Sequence, residues 1–262
     1  MDRVQRWIGV GIMSGRAVTA FAIVLGFGSC VAGAQQAVTT TVPIAKEVDP
    51  LRTDWPNLRR FHEEDVALPA PAAGEKRVVF MGDSITQGWA HYGVPPEPPV
   101  AGVTWVNRGI SGQTTPQMVL RFQQDVIHLK PSVVVIFAGT NDIAGNTGDM
   151  TPEQTEDNFI SMAELAHANG IQVVLCSILP AFDFPWKPGR TPAAKIVALN
   201  SWIKSYAAEH GYVYVDFYSA MVDARGGLPV TLSKDGVHPT PAGYAVMNPL
   251  IEAGVAKALA GK

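Results

Sequence analysis

A serine that could act as a nucleophile follows an apolar run directly. The run Val78–Met81 leads into Gly82-Asp83-Ser84, which predicts a turn from a strand into a helix. A serine at such a turn exposes its hydroxyl, and its backbone N–H lies at a helix N-terminus that attracts negative charge. The motif therefore indicates a nucleophile whose attack on a substrate generates an oxyanion. A turn with only a structural role would contain the same residues. The G-x-S-x-G nucleophile elbow is absent.

A histidine near the end of the chain could serve as the matching base. His238 follows Asp235 by three positions, in a loop just before a predicted helix. Imidazole is the commonest general base near neutral pH, and a nearby carboxylate can fix its tautomer and stabilise the imidazolium. The same D-x-x-H spacing would suit a metal pair or a capping aspartate. Because the other histidines show no ligand spacing, we expect no metal.

Two further motifs could supply hydrogen bonds to an oxyanion. Gly112 ends an I-S-G motif shortly after the apolar run Val103–Val106, and its small size would let a ligand approach its N–H. Asn141 lies in a G-T-N-D motif after the run Val133–Phe137, where its amide could donate to developing negative charge. A plain glycine turn and an Asx-turn are the structural alternatives.

The elements that must position these residues are strands alternating with helices. Short, continuous, β-branched runs are typical of strands that are buried on both faces. Five such runs occur: Val78–Met81, Val103–Val106, Val133–Phe137, Ile171–Cys176 and Tyr212–Val215. With helical crossovers between them, they predict an α/β fold, a three-layer doubly wound sandwich around a five-stranded parallel sheet. Ligands bind beyond the carboxyl ends of such strands, which is where all four motifs lie.

Four of the helix-length segments start with a Thr-Pro pair. Threonine at the N-cap accepts an unpaired backbone N–H, and proline at the first helical position has none to satisfy. The pairs are Thr115-Pro116, Thr151-Pro152, Thr191-Pro192 and Thr240-Pro241. The last helix also contains Pro249, which predicts a kink or a break there.

Composition excludes several classes of protein. The chain has 262 residues, of which 47% are hydrophobic and 16% charged, and this excludes disorder and coiled coil. The formal net charge is −3 and no Lys/Arg-rich block is present, so we expect no nucleic-acid partner. The 2 cysteines are too few for a disulfide framework.

The N-terminal segment has the pattern of an export signal. Residues 1–34 combine a basic start, an uncharged apolar stretch and small residues before Ala34, which predicts cleavage after Ala34 and a secreted or periplasmic protein. A retained membrane anchor and lipidation at Cys30 are the alternatives, but glycines interrupt the stretch and Phe27 stands where a lipidation site usually has leucine. We expect no stable membrane span after cleavage. Residues 35–75 would be a linker and lead-in, and residues 76–262 the catalytic domain.

The four motifs, in this order, resemble those of the SGNH (GDSL-type) hydrolases. The resemblance covers about Lys76 to Ala258. It implies a family fold with a five-stranded parallel sheet and a serine esterase that needs no cofactor. It also implies Ser84 as nucleophile, His238 as base and Asp235 as its partner. The oxyanion donors would be the N–H groups of Ser84 and Gly112 and the side chain of Asn141.

The substrate is less constrained. We expect a small-molecule or glycan ester carrying a short acyl group such as acetyl. Among enzymes, the alternative is a lysophospholipase or a thioesterase. A non-catalytic carbohydrate-binding protein on the same fold is a second alternative, and a metal-dependent hydrolase is a third. Aromatic residues in the loop after the fourth strand and after the nucleophile would line the substrate site: Phe182, Phe184, Trp186, Trp89 and Tyr92.

Overall fold

A central sheet of five parallel strands organises the molecule. The computed structural model describes residues 53–92 and 101–261. The strands are β1 (Lys76–Gly82), β2 (Val103–Gly109), β3 (Val133–Phe137), β4 (Gln172–Cys176) and β5 (Val213–Val215). They lie in the order β2-β1-β3-β4-β5, and every neighbouring pair is parallel. The predicted strands and their parallel arrangement are therefore confirmed. The proposed signal segment 1–34, with Cys30 and Ala34, lies outside the described residues.

Helices connect the strands and cover the sheet. They are α1 (His62–Ala67), α2 (Ser84–His91), α3 (Thr115–Asp125), α4 (Thr140–Ala144), α5 (Pro152–Ala168), α6 (Ala193–His210), α7 (Tyr218–Met221) and α8 (Pro241–Ala260), with a short 3₁₀ turn at Ile127–Leu129. Within the described residues, no helix is both long enough and apolar enough to cross a membrane.

The core is divided between the two faces of the sheet, as the predicted three-layer sandwich requires. On one face, residues of α3, α5 and α6 pack against the strands, among them Phe122, Phe159 and Ile203. On the other face α2 and α8 do so, through residues such as Trp89 and Met247. Strand β3 is buried along its whole length, because it lies in the middle of the sheet with helices on both sides.

The strand order places a topological switch point between β1 and β3, next to the site motifs. The chain runs from β1 outward to β2 and then crosses back to β3, so β1 and β3 are neighbours whose connections leave in opposite directions. In doubly wound sheets a ligand binds at this switch point, beyond the carboxyl ends of the strands. Here Ser84 follows β1 and Asn141 follows β3.

Helix starts follow the sequence expectation in part. Thr151 caps α5 as predicted, and its hydroxyl accepts from the Gln154 N–H at 3.3 Å. Helix α3 is capped by Thr114 rather than Thr115, because Gln117 completes a capping box with Thr114. The hydroxyl of Thr240, at the N-cap of α8, does not accept a helix N–H; it donates to the Leu232 carbonyl oxygen at 3.2 Å instead.

Two further helix expectations differ from the structure, the second of them in part. Thr191 does not cap α6: the N-cap is Pro192, without a side-chain hydrogen bond, and Thr191 has a positive φ of 44°. Of the kink or break expected at Pro249, the break does not occur, because α8 continues to Ala260. Its buried residues, which include Tyr244 and Ile251, lie on both sides of the proline and anchor both halves to the sheet.

The segment before β1 is attached to the same domain. The Gln117 side chain donates to the Trp55 carbonyl oxygen at 2.7 Å. Arg108 bonds Asp65 of α1 through two guanidinium nitrogens, at 2.8 and 2.5 Å, and both side chains are nearly inaccessible to solvent. Burial raises the pKa of Asp65 to about 6, although the Arg108 hydrogen bonds act in the opposite direction. From residue 53 onward the lead-in is thus part of the folded unit.

Candidate active site

A tight turn presents Ser84 at the end of β1. Gly82 ends the strand, and a Cβ added to it would lie 2.0 Å from the Thr86 hydroxyl oxygen and 2.6 Å from the Phe137 carbonyl oxygen. Only glycine fits this turn. Asp83 then caps α2, because its Oδ1 accepts from the Ile85 N–H at 2.9 Å. Ser84 is the first residue of the helix and remains partly accessible.

The structure brings Ser84, His238 and Asp235 together across most of the chain. The Ser84 hydroxyl oxygen lies 2.9 Å from His238 Nε2. The other ring nitrogen of His238, Nδ1, lies 2.7 Å from Asp235 Oδ2. With the proton on Nδ1, the imidazole donates to Asp235 and its Nε2 accepts from the Ser84 hydroxyl. This is the geometry in which a histidine can take a proton from a serine.

A compact turn holds the carboxylate of Asp235. Its Oδ1 accepts hydrogen bonds from the Val237 N–H at 2.9 Å, the His238 N–H at 2.8 Å and the Ser233 hydroxyl at 3.1 Å. Partial burial would raise its pKa, but these bonds and the His238 imidazole outweigh that effect and lower the pKa to about 2. Asp235 is therefore ionised at neutral pH and can stabilise an imidazolium.

Asn141 lies at the opposite side of the switch point. A glycine with positive φ, Gly139, turns the chain after β3, and α4 starts one residue before Asn141. The Asn141 amide nitrogen donates to the Gln113 carbonyl oxygen at 3.0 Å and to Asp83 Oδ2 at 3.3 Å. Asn141 therefore connects Asp83, next to Ser84, with Gln113, next to Gly112.

Gly112 adopts a conformation that favours glycine. Its φ is +77°. A Cβ added there would have room, because the nearest heavy atom beyond its chain neighbours, the Asn146 amide nitrogen, would lie 4.0 Å away. Its carbonyl oxygen accepts from that same nitrogen at 3.2 Å. The loop that follows β2 is thus fixed next to Asn141, at the same end of the sheet as Ser84.

Two aspartates are buried beneath the site. Burial raises the pKa of Asp83 to about 7, and burial likewise raises the pKa of Asp142 to about 6. The Asp142 carboxylate holds the start of α3, because its Oδ1 accepts from the N–H and the hydroxyl of Thr115 at 3.0 and 2.5 Å. These hydrogen bonds explain why α3 starts close to α4.

Sequence reasoning missed Asn146 and Arg121. The Asn146 side chain contacts both Asn141 and Gly112, but a lone asparagine in a glycine-containing loop gives no signal of this. Arg121 is completely buried in α3 and donates to the Gly82 carbonyl oxygen at 3.1 Å. The sequence offered one signal: Arg121 stands between apolar positions of a predicted helix. An arginine buried there must have a partner.

Of the predicted substrate-binding residues, Trp186 lies against the histidine. The ring centroids of Trp186 and His238 are 5.9 Å apart. Phe184 is fully buried behind Trp186, with ring centroids 5.2 Å apart, so it supports that ring and does not face the solvent. Phe182 is exposed and borders an open depression of about 270 Å³ that Asp235 and Arg225 also line.

Trp89 and Tyr92 do not lie where the sequence suggested. Trp89 follows Ser84 by five helical positions, which turns it about 140° away from the serine and toward the sheet. It is 2% exposed, and its indole nitrogen donates to Asn248 Oδ1 at 2.8 Å. Tyr92 is the C-cap of α2, at the opposite end of the helix from Ser84, and its ring packs on Tyr244. Trp89 is a core residue, and the prediction that it lines the site was wrong.

The described residues contain no group of three or more His, Cys, Asp or Glu side chains that could hold a metal ion. Cys176 is buried in the sheet, and burial raises its thiol pKa. It is therefore a core residue.

Comparisons with known proteins agree with this architecture. The model of the GDSL-like lipase/acylhydrolase family matches residues 80–246. A solved structure of a GDSL-like lipase from Bacteroides thetaiotaomicron is 44% identical, covers 78% of this chain and 100% of its own, and has a TM-score of 0.72.

Two curated relatives are esterases. An acetylxylan esterase from Xylanibacter ruminicola is 27% identical, over 72% of this chain and 45% of its own length. The esterase TesA from Pseudomonas aeruginosa is 34% identical, over 51% of this chain and 60% of its own length. The chain thus matches about half the length of these two relatives.

Proposed function

Because the chain belongs to the GDSL-like lipase/acylhydrolase family, we propose that it is an exported serine esterase. Its substrates are short-chain acyl esters, with acetyl groups on carbohydrates as the favoured class. One observation carries the proposal: Ser84 Oγ lies 2.9 Å from His238 Nε2, and His238 Nδ1 lies 2.7 Å from Asp235. A protein that only bound its ligand would need no such arrangement.

The proposed reaction proceeds through an acyl-enzyme. His238 Nε2 takes the proton of the Ser84 hydroxyl while Ser84 Oγ attacks the ester carbonyl carbon. The N–H groups of Ser84 and Gly112 and the Asn141 amide stabilise the resulting oxyanion. The intermediate then expels the alcohol, which receives the proton from His238. Water, deprotonated by His238, releases the carboxylic acid and restores Ser84.

Asp235 keeps the imidazole in the productive state during both steps. Its carboxylate accepts from Nδ1, so Nε2 is left without a proton and faces Ser84. The low pKa of Asp235, about 2, leaves a negative charge beside the imidazolium that forms transiently. We therefore assign Asp235 an orienting and electrostatic role rather than a proton-transfer role.

A fluorophosphonate probe tests the proposal. We expect stoichiometric labelling at Ser84, located by mass spectrometry of the digested adduct, together with hydrolysis of p-nitrophenyl acetate. Ser84→Ala is expected to remove the labelling and to lower kcat on the order of 10³–10⁶-fold, with little change in Tm because only one hydroxyl is lost. A variant that keeps more than a tenth of the wild-type rate would contradict the role of Ser84.

A panel of substrates separates the alternatives. Acetylated xylan and acetylated sugars, compared with lysophospholipids and acyl thioesters, distinguish an acetyl-esterase from a lysophospholipase or thioesterase. The acetyl-glycan assignment is supported by the acetylxylan esterase among the relatives and by the exposed aromatic ring of Phe182 beside the open depression next to Asp235. Sugar rings stack on such faces. Binding of xylan without labelling or hydrolysis would favour the non-catalytic alternative.

Export is tested on the full chain. After expression in a bacterial host, we expect the protein in the periplasmic or medium fraction with Gln35 at its N-terminus. A lipid-modified N-terminus at Cys30 would favour a lipoprotein, and an intact Met1 in the membrane fraction would favour a retained anchor.

A further inference from the structure

One side chain connects three parts of the proposed site. The Asn146 amide nitrogen donates to Asn141 Oδ1 at 2.7 Å and to the Gly112 carbonyl oxygen at 3.2 Å. The Asn146 oxygen Oδ1 accepts from the Trp186 indole nitrogen at 3.0 Å. The backbone N–H of Asn146 also donates to the Asn141 carbonyl oxygen at 3.0 Å. Asn146 thus touches both predicted oxyanion donors that lie outside the serine turn, and the aromatic ring beside His238.

These contacts permit only one orientation of the Asn146 amide. An indole N–H can only donate, and a backbone carbonyl can only accept. Asn146 must therefore turn its oxygen toward Trp186 and its nitrogen toward Gly112. The same nitrogen faces Asn141, so Asn141 must turn its oxygen toward Asn146.

The orientation of the Asn146 amide also constrains that of the Asn141 amide. With its oxygen held by Asn146, the Asn141 amide turns its nitrogen the other way, where the Gln113 carbonyl oxygen and Asp83 Oδ2 accept from it. The two ends of an amide have nearly the same shape, and only the nitrogen can stabilise an oxyanion. A flipped Asn141 would present an oxygen to the developing negative charge.

We propose that Asn146 is a positioning residue: it keeps the Asn141 nitrogen on the side of Gln113 and Asp83, where an oxyanion would take over one of its two N–H bonds, and it ties that orientation to Trp186. The inference rests on the proposed esterase function. It predicts that the chemical identity of residue 146 affects the chemical step even though residue 146 does not touch the substrate.

Replacing Asn146 with aspartate gives the sharpest test. Asn146→Asp keeps the size of the side chain and an acceptor for Trp186, but it removes the donor to Asn141. The carboxylate would instead attract the Asn141 nitrogen and turn the Asn141 oxygen toward the oxyanion. We expect kcat on p-nitrophenyl acetate to fall at least a hundredfold, comparable with the loss of one oxyanion donor, while KM hardly changes.

Asn146→Ala is the milder companion variant. It removes the contact without introducing a competing acceptor, so Asn141 retains its bonds to Gln113 and Asp83. We expect roughly a tenfold loss in kcat, again with little change in KM, because the amide is held less firmly. A larger loss in Asn146→Ala than in Asn146→Asp would point to packing and would overturn the orientation argument. Should Asn146→Asp not fold, the alanine variant is carried into the cycle below.

A double-mutant cycle tests whether Asn146 acts through Asn141. Once Asn141 is alanine, no amide remains to be oriented. We therefore expect Asn141→Ala/Asn146→Asp to have the kcat of Asn141→Ala alone, whereas multiplying effects would overturn the proposal. Asn169→Asp is the matched control, because that exposed side chain donates only to the Leu165 carbonyl oxygen, at 2.8 Å, and should leave kcat unchanged.

The reaction of the wild type with the fluorophosphonate probe distinguishes failure of the proposed esterase function from failure of the proposed role of Asn146. Without labelling at Ser84, the proposed function fails, and this inference fails with it. With normal labelling and hydrolysis in the wild type but wild-type kcat in Asn146→Asp, the inference alone fails.

Discussion

The carboxyl group of Asp83 accepts a hydrogen bond from the Asn141 amide nitrogen across 3.3 Å, and both side chains are buried. The other oxygen of Asp83 accepts from the Ile85 N–H at 2.9 Å and caps α2. One carboxyl group therefore joins the helix that carries the proposed nucleophile to a proposed oxyanion donor. Because Asp83 is buried, its pKa is raised to about 7.

Asp83 should make the folded state less stable as the pH rises. A carboxyl whose folded pKa is raised favours folding below its ordinary pKa of about 4, and that contribution disappears as the pH rises through the folded value of about 7. Asp83→Asn cannot ionise and lacks this dependence. From pH 5 to pH 9 we expect the Tm of the wild type to fall relative to that of Asp83→Asn by roughly 5 °C or more. Parallel curves of Tm against pH would contradict the raised pKa.

The charge of Asp235 should support activity across the usual assay range. The carboxylate has a pKa of about 2 and stays ionised throughout that range, so Asp235 itself adds no step to the pH profile. Asp235→Asn removes the negative charge that stabilises the imidazolium. We expect Asp235→Asn to lower kcat for p-nitrophenyl acetate, but by less than His238→Ala does, because orientation of the ring is impaired while the base remains.

A mild effect of His238→Ala, with another histidine essential, would show that the base was assigned wrongly. His210 is a suitable comparison, because its Nδ1 lies 2.9 Å from the Tyr206 carbonyl oxygen on α6 and it is not part of the site. His210→Ala is expected to keep both kcat and the shape of the pH profile.

Asn141→Ala should act on the chemical step. It removes the proposed donor to the tetrahedral oxyanion, so we expect kcat to fall by about 10²–10³ and KM to stay almost unchanged. It also leaves the Gln113 carbonyl oxygen without that partner, so some loss of stability is expected. A large change in KM with normal kcat would instead make Asn141 a ground-state binding residue.

Asn200→Ala is the matched control for Asn141→Ala. Asn200 is also a buried asparagine, and it bonds both the N–H and the carbonyl oxygen of Ile178, at 2.7 and 3.0 Å. Its replacement should lower Tm without lowering kcat. The comparison separates loss of stability from loss of an oxyanion donor.

The positions of the main site residues could be predicted because parallel strands end at one edge of the sheet. Ser84, Gly112 and Asn141 each follow a strand closely, so their common location follows from the topology alone. His238 follows no strand directly, and its assignment rested on the chemistry of the D-x-x-H motif and on the family resemblance.

What could not be predicted depends on side-chain direction and on contacts between loops. Trp89 was placed near the site by its distance in sequence from Ser84, whereas the helical rotation turns it into the core. The contacts of Asn146 reach residues 34 and 40 positions away, in two loops without any periodic pattern. Such contacts arise from the fold as a whole and leave no local signal in the sequence.

The ring of Trp186 should limit the length of the acyl chain. It lies 5.9 Å from the His238 ring, is backed by the buried Phe184 and is held by its bond to Asn146, so it forms a braced wall beside the proposed base. Each additional CH₂ of the acyl chain would contribute about 0.8 kcal/mol to binding if it could be buried. Because the Trp186 ring is held in place, longer acyl chains would either stay exposed to solvent or clash with it. We therefore expect kcat/KM to be highest for acetyl to butyryl esters and to fall for octanoyl and longer chains.

Trp186→Ala should move that limit. Removing the indole opens space next to His238, so we expect the preference in kcat/KM to shift toward hexanoyl and octanoyl esters, measured with a series of p-nitrophenyl esters. Trp55→Ala is the matched control, because Trp55 is also 39% exposed but lies in the lead-in before β1, and it should leave the preference unchanged. Wild-type activity that climbs steadily from acetyl to palmitoyl esters would refute the wall and would favour a lysophospholipase or thioesterase over an acetyl-esterase.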